Sequence, residues 1–147
     1  MKVIIVDIII TKDIQITDYK MLIKSADWKE LSEKQIKKAL ENSMCVVIAK
    51  EKNKVVGMAR LIGDYGTHGL IADVVVLPNY QNKQIGSQLV LKIKDYVFDF
   101  LEEDEQFLIE LCPAYGKRNF YQRLGFKYKP TNMDGMYLWI EKGKENE

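Results

Sequence analysis

Cysteine, histidine and proline are scarce in this chain, and the first two shortages each remove a class of function. There are two cysteines, one histidine and three prolines. Cys45 and Cys112 stand far apart in apolar stretches, with no Cys-x-x-Cys spacing. A disulfide framework is therefore not expected, and a reducing compartment, hence a cytoplasmic setting, is. His68 alone cannot anchor a metal cluster, so no metal is expected. An excess of one charge sign is missing too: 22 basic residues against 21 acidic leave +1. The two signs are interleaved without a basic stripe, so no nucleic-acid partner is expected. The opening apolar run, Val3 to Ile10, carries Asp7 and is too short to cross a bilayer. It reads as a buried first strand and not as a signal peptide, and no membrane partner is expected.

What is present suits a folded domain. Apolar residues make up 47% of the 147 positions, enough for one domain over residues 1–147 with a sizeable core. Thr17 or Asp18 is expected to cap a short helix running to about Ala26. Ser32-Glu-Lys-Gln35 has the spacing of a capping box, which predicts a second helix. Cys45 to Ala49 and Val55 to Ile62 are apolar runs split by Lys50-Glu-Lys-Asn-Lys54, a hairpin pattern. Gly63 to Gly69 reads as a turn, and Leu70 to Leu77 as the third strand of a meander. Ile85, Leu89, Ile93, Val97 and Leu101 recur every fourth residue, which predicts an amphipathic helix from Gln84 to Leu101. Phe107 to Leu111 reads as a strand, Lys117 to Leu124 as a short helix stopped by Gly125, and Tyr137 to Ile140 as a closing strand. The expected fold class is mixed α/β, a sheet flanked by helices.

Asp73 to Leu89 is the most informative stretch. A β-branched run ends at Pro78, a polar loop follows, and a helix opens near Gln84. The first amides of a helix have no intrahelical partner and sit at the positive end of its dipole, which suits an anion such as phosphate. Gly86 and Ser87 keep that turn small, and Lys83 adds a positive charge.

The segment Leu77-Pro-Asn-Tyr-Gln-Asn-Lys-Gln-Ile-Gly-Ser87 resembles the acetyl-CoA loop of the GNAT superfamily of N-acetyltransferases. That loop reads Arg or Gln, two residues, Gly, one residue, then Gly or Ala. Gln81 and Gly86 fit its ends. Gln84 stands where the first Gly is expected, and Asn82 occupies a variable place. Phe120-Tyr-Gln-Arg-Leu-Gly-Phe126 resembles the Phe-Tyr-x-x-x-Gly-Phe ending of the family's last helix, and Val55-Val-Gly-Met-Ala-Arg60 part of a central strand. The resemblance covers nearly the whole chain. It implies a largely antiparallel GNAT-like sheet whose two central parallel strands splay apart, with acetyl-CoA entering the gap as co-substrate. It also suggests a homodimer.

Carried over residue by residue, the resemblance implies that Gln81, Asn82, Lys83, Gln84, Ile85, Gly86 and Ser87 hold the cofactor's phosphates. The backbone of Val74, Val75 and Val76 would pair with the amides of its pantetheine arm. Tyr121 would protonate the leaving thiolate, a plausible role for a phenol of pKa near 10 facing a thiol near 8.5. Asn119 would orient a water or the pantetheine. An alkylamine acceptor must first lose a proton, which costs on the order of 4–5 kcal/mol at pH 7. Asp73, Glu110 and Asp64 are the candidate bases, each more readily read as a structural or surface carboxylate. Trp28 and Tyr19 read as core residues or as an aromatic wall for an amine. A nucleophilic pair of Cys112 and His68 finds no support in spacing, and Cys112 reads as a buried strand-end residue. These residues point to an N-acetyltransferase that works by direct attack of a primary amine, small-molecule or peptide. The alternative is an acyl-CoA-binding regulatory module without turnover. Small amines, polyamines, amino sugars, protein lysines and N-termini all fit as acceptors at this stage.

Overall fold

A computed structural model describes residues 3–129 and 132–143. In chain order it contains β1 (Asp7–Ile10), α1 (Ile16–Ser25), α2 (Glu33–Asn42), β2 (Cys45–Glu51), β3 (Lys54–Gly63) and β4 (His68–Val76). A single 3-10 turn, Pro78–Tyr80, leads to α3 (Ile85–Phe100), followed by β5 (Gln106–Leu111), α4 (Arg118–Arg123), β6 (Lys127–Lys129) and β7 (Asn132–Glu141). Among the described residues the strands form one seven-stranded sheet in the order β1-β2-β3-β4-β5-β7-β6. Every neighbouring pair is antiparallel except β4 with β5. The mixed fold expected from sequence is the one found.

Helices cover both faces. A side chain placed at Gly57 would meet Leu89 of α3, so α3 lies on that face of β3. Leu89, Ile93 and Val97 of the stripe read from the sequence are fully buried, as is Val90 beside them. Arg60 points to the opposite face, where it meets partners from β4 and from Ser43 at the end of α2. The capping box of α2 is complete: the Gln35 amide donates to Ser32 Oγ at 3.2 Å, and the Ser32 amide donates to Gln35 Oε1 at 3.4 Å. Gly125 ends α4 with φ +97, as expected of a left-handed stop.

Four local expectations are corrected. The first strand is only Asp7–Ile10, and it is largely exposed because it lies at the sheet edge and pairs with β2 alone. Helix α1 opens at Ile16 with Gln15 in the cap position, so Thr17 and Asp18 lie in its first turn and do not cap it. The third strand starts at His68, ahead of Leu70. Strand β6 was not expected; three residues, Lys-Tyr-Lys, carry too little pattern to be read.

The feature that shapes the site is in the middle of β4. Its register against β3 runs Arg60↔Ala72, then Met58↔Val75, so Asp73 and Val74 together oppose Ala59. This is a β-bulge, which inserts a residue, bends the strand and turns the side chains beyond it to the other face. Asp73 adopts φ 57, a left-handed conformation that is costly for a residue with a Cβ. It is held there by its own carboxylate. Arg60 donates to Asp73 Oδ2 from Nε at 2.9 Å, and its Nη2 forms an ion pair with the same oxygen at 2.9 Å. Tyr19 of α1 donates to the same oxygen at 2.9 Å. Arg60 Nη1 also donates to Ser43 Oγ at 3.2 Å, and Ser43 Oγ donates to the Ala39 carbonyl at 2.6 Å. The knot ties β3, the bulge, α1 and the end of α2 together.

Beyond the bulge the two central strands part. β4 and β5 pair in parallel only from His68↔Leu108 to Leu70↔Glu110. From Ile71 onward the β5-facing edge of β4 has no strand partner among the described residues. Glycine adopts φ > 0 without the steric cost that a Cβ carries. Asp73→Ala should therefore destabilise the fold by about 1 kcal/mol more than Asp73→Gly, since both lose the carboxylate but only glycine accepts the bulge. Urea unfolding of the two variants checks this, and equal stabilities would remove the backbone argument.

Candidate active site

A cavity of about 500 Å³ occupies the parting of the strands. Val74, Val75 and Val76 form one wall, and Gln81, Asn82, Gln84, Ile85, Gly86 and Ser87 form the next. Phe120, Tyr121, Lys117 and Arg123 close it from α4 and the residue before it, and Trp28 closes it from the segment after α1. Residues distant in sequence but singled out for the same ligand thus meet around one hollow. Two do not: Lys83 and Asn119 are exposed and lie outside the lining. In their place the cavity receives Lys117 and Arg123, which sequence reading missed. The signal was available, since Lys117 stands three residues before the aromatic motif that begins at Phe120 and Arg123 lies within it.

The loop into α3 is unusual in its backbone. Gln84 takes the cap position with φ 67 and ψ 9, and its side chain makes no capping hydrogen bond. An ordinary cap would use a β-region residue whose side chain accepts from the first turn. Here the amides of the first turn are left without a side-chain cap, at the cavity wall. The substitution of Gln for the motif Gly keeps the left-handed geometry and carries its strain, on the order of 1–2 kcal/mol. Gln81 does a different job from its neighbours: its Nε2 donates to the Val76 carbonyl at 3.0 Å and pins the loop to the strand. A Cβ at Gly86 would stand 3.4 Å from Phe120 Cζ, so any longer side chain would fill the space between the helix start and α4.

Tyr121 is more buried than its sequence neighbourhood indicated, at 8% exposure. Its ring meets Phe120 edge-on at 4.9 Å and Phe126 edge-on at 5.8 Å. Burial disfavours the phenolate and pushes its pKa up to about 12. At neutral pH the group is a proton donor and not a base.

A second cavity, about 690 Å³, adjoins the first. Trp28 lines both. Asp73 lines the second and its neighbour Val74 the first, so the two hollows meet at the bulge. Tyr19 also lines the second, and its phenol is pushed up to about 12, by burial first and by the Asp73 carboxylate next. Trp28 is 40% exposed, so the core reading of this residue gives way to a wall between two hollows, while Tyr19 is buried.

The three candidate carboxylates separate cleanly. Asp73 is at the junction of the cavities. Asp64 is a turn organiser: its Oδ1 accepts from the amides of Gly66, Thr67 and His68, which hold its carboxyl far below the usual range. Glu110 is ion-paired with Lys129. Asp64 and Glu110 line a different hollow with Ile62 and Leu70. Cys112 is exposed, which corrects its reading as a buried residue. His68 pairs with Leu108 at the start of the parallel contact, about 13 Å of strand before Cys112, so the two form no nucleophilic pair. Among the described residues no group of His, Cys, Asp and Glu could hold a metal ion, and no helix is long and apolar enough to cross a membrane.

The model of the acetyltransferase (GNAT) family matches residues 12–126. The chain is 29% identical over 132 residues to the uncharacterised N-acetyltransferase ycf52 of Pyropia yezoensis, covering 87% of this chain and 74% of that protein. Its fold is similar to that of a GNAT-family acetyltransferase from Streptococcus pneumoniae, with TM-score 0.71, 26% identity, and 86% and 91% of the two chains covered. It is also similar to N-acetylglutamate synthase from Neisseria gonorrhoeae, solved with coenzyme A and L-arginine, with TM-score 0.70, 15% identity, and 95% of this chain and 34% of that chain covered. That last likeness speaks for the fold alone. With its sheet parted between β4 and β5 and its family model spanning residues 12–126, the chain belongs to the GNAT family of acetyltransferases.

Proposed function

We propose that this acetyltransferase takes its acetyl group from acetyl-CoA and passes it to a primary amine by direct attack on the thioester. The observation that carries the reading is the convergence on one cavity of an unpaired strand edge, an uncapped helix start and a buried phenol. The residues fit the cofactor's chemistry part by part. The amides of Ile85, Gly86 and Ser87 suit a pyrophosphate, with Lys117 and Arg123 supplying countercharge from the facing side. The β5-facing edge of Val74, Val75 and Val76 suits the amides of a pantetheine arm, since buried backbone groups need partners. When bound, acetyl-CoA supplies an acyl group activated as a thioester.

The chain's own part is positioning and proton transfer. Asp73 draws an ammonium to the junction of the two cavities. Its Oδ2 is taken by Arg60 and Tyr19, so it orients the amine through its other oxygen. Tyr121 donates its proton at the sulfur end. A phenol near 12 facing an ordinary thiolate of about 8.5 gives a gap of about 3.5 pKa units, or about 5 kcal/mol. The same dry cleft that raises the phenol also raises the sulfur, which narrows that gap. No credible covalent nucleophile lies in the lining, which supports direct attack. The unpaired Cys45 and Cys112 support the reducing, cytoplasmic setting that belongs to the same proposal.

Saturating coenzyme A should raise the melting temperature, because a ligand held at 100 times its Kd adds about 2.7 kcal/mol to the native state. Gly86→Glu should abolish that rise by placing a carboxylate at the helix start, and Gln84→Gly should keep it. A melting temperature indifferent to coenzyme A would sink the cofactor assignment.

Tyr121→Phe should lower turnover by about 10²–10⁴-fold while keeping the coenzyme A shift. A second readout tests its burial. A folded pKa near 12 against about 10 unfolded means stability is present below pH 10 and lost as pH rises through 12. Between those values the parent should lose more stability than the Phe variant. Parental turnover in a folded Tyr121→Phe protein would make the residue one of packing only.

A further inference from the structure

We infer that the acceptor is a primary amine carried on an apolar body, of arylalkyl kind, and not a polycation or a sugar. The inference rests on the amine-transfer reading above and concerns the second cavity. Three large apolar side chains stand around that hollow in contact with water: Met21 at 38%, Trp28 at 40% and Leu31 at 42% exposure. Buried Ile23 and Ile36 complete its apolar lining. Isolated exposed apolar residues are ordinary, but several around one concavity rimmed by polar groups mark a binding surface.

Charge narrows the ligand further. Lys20, Lys24 and Lys29 line the hollow against Asp27, Glu30 and Asp73, so the rim carries no acidic surplus. Arg60 and Tyr19 already hold Asp73 Oδ2, which leaves its other oxygen to take a single ammonium. A polyamine or a lysine-rich peptide brings several positive charges and would find no matching field. An amino sugar brings several hydroxyls, each needing a partner once out of water. Among the lining side chains the uncharged hydroxyls are those of Thr17 and Tyr19, and Tyr19 already donates to Asp73. One ammonium beside one carboxylate, with apolar walls for the rest of the molecule, is the complement of this surface. The walls also favour the neutral amine, the form that attacks, because desolvation disfavours its protonated state.

The chain contains two tryptophans, and Trp139 lines neither cavity. Trp139→Phe therefore leaves Trp28 as a single fluorescent reporter at the junction. With the protein saturated in coenzyme A, phenethylamine should change Trp28 emission saturably, and so should a short peptide with N-terminal phenylalanine if the chain end of a peptide is the source of the amine. With acetyl-CoA, the better of these two should exceed spermidine, glucosamine and a lysine-rich peptide in kcat/KM by about tenfold or more. Leu31→Asp should lower that kcat/KM about tenfold through KM and leave the coenzyme A melting shift intact. A preference for spermidine, glucosamine or the lysine-rich peptide overturns the inference and leaves the transferase standing. Silence of Trp28 toward both apolar amines, in protein that responds to coenzyme A, overturns it as well. Saturable binding at Trp28 without acetyl transfer supports the ligand class and removes the transferase reading instead.

Discussion

The structure depends on one mismatch within β4. Its first half pairs on both edges, with β3 on one side and β5 on the other. Its second half keeps β3 and loses β5. The turning point is Asp73, a residue in a left-handed conformation that a side chain resists, fixed by hydrogen bonds from Arg60 and Tyr19 to a single carboxylate oxygen. Remove that restraint and the strand has reason to relax toward a regular ladder. The polar knot is thus a backbone device, and it sits where the two hollows adjoin.

Several consequences follow from the parting. The strand edge from Val74 to Val76 has lost its strand partner, with the Val76 carbonyl taken by Gln81, and the uncapped start of α3 supplies donors a short distance along the same wall. Tyr121 is pressed between Phe120 and Phe126 at the far side, dry enough to keep its proton through the neutral range. Cations come from the approach to α4 and from α4 itself and not from the loop. One cavity joins the start of α3 and two cations to apolar strand and aromatic walls and suits an extended, phosphate-bearing molecule. The other is apolar with a balanced rim and suits a compact one. Trp28 lines both, so the two hollows adjoin there.

Much of this was legible in the sequence where periodicity or capping chemistry is strong. The stripe from Ile85 to Val97 and the box from Ser32 to Gln35 folded as their patterns require, because both are set by local physics. The lining of the first cavity was legible through the loop from Gln81 to Ser87, Lys83 apart, and through the motif around Tyr121. The bulge was not. Nothing in Ala-Asp-Val-Val-Val shows that Asp73 turns left-handed, since the cause lies in Arg60 and Tyr19, residues remote in sequence. The same remoteness hid the division of labour among Asp73, Asp64 and Glu110, which only their partners distinguish. Lys83 was favoured over Lys117 and Arg123 because proximity along the chain stood in for proximity in space.

Amide hydrogen exchange with and without coenzyme A tests the central claim, that the parted edge of β4 and the start of α3 together hold the cofactor. Peptides covering Val74 to Val76 and Ile85 to Ser87 should both slow their exchange on addition of coenzyme A, while β1, at the sheet edge, stays unchanged. Protection at the start of α3 without protection of Val74 to Val76 would contradict the account, because the parted strand would then have no part in binding.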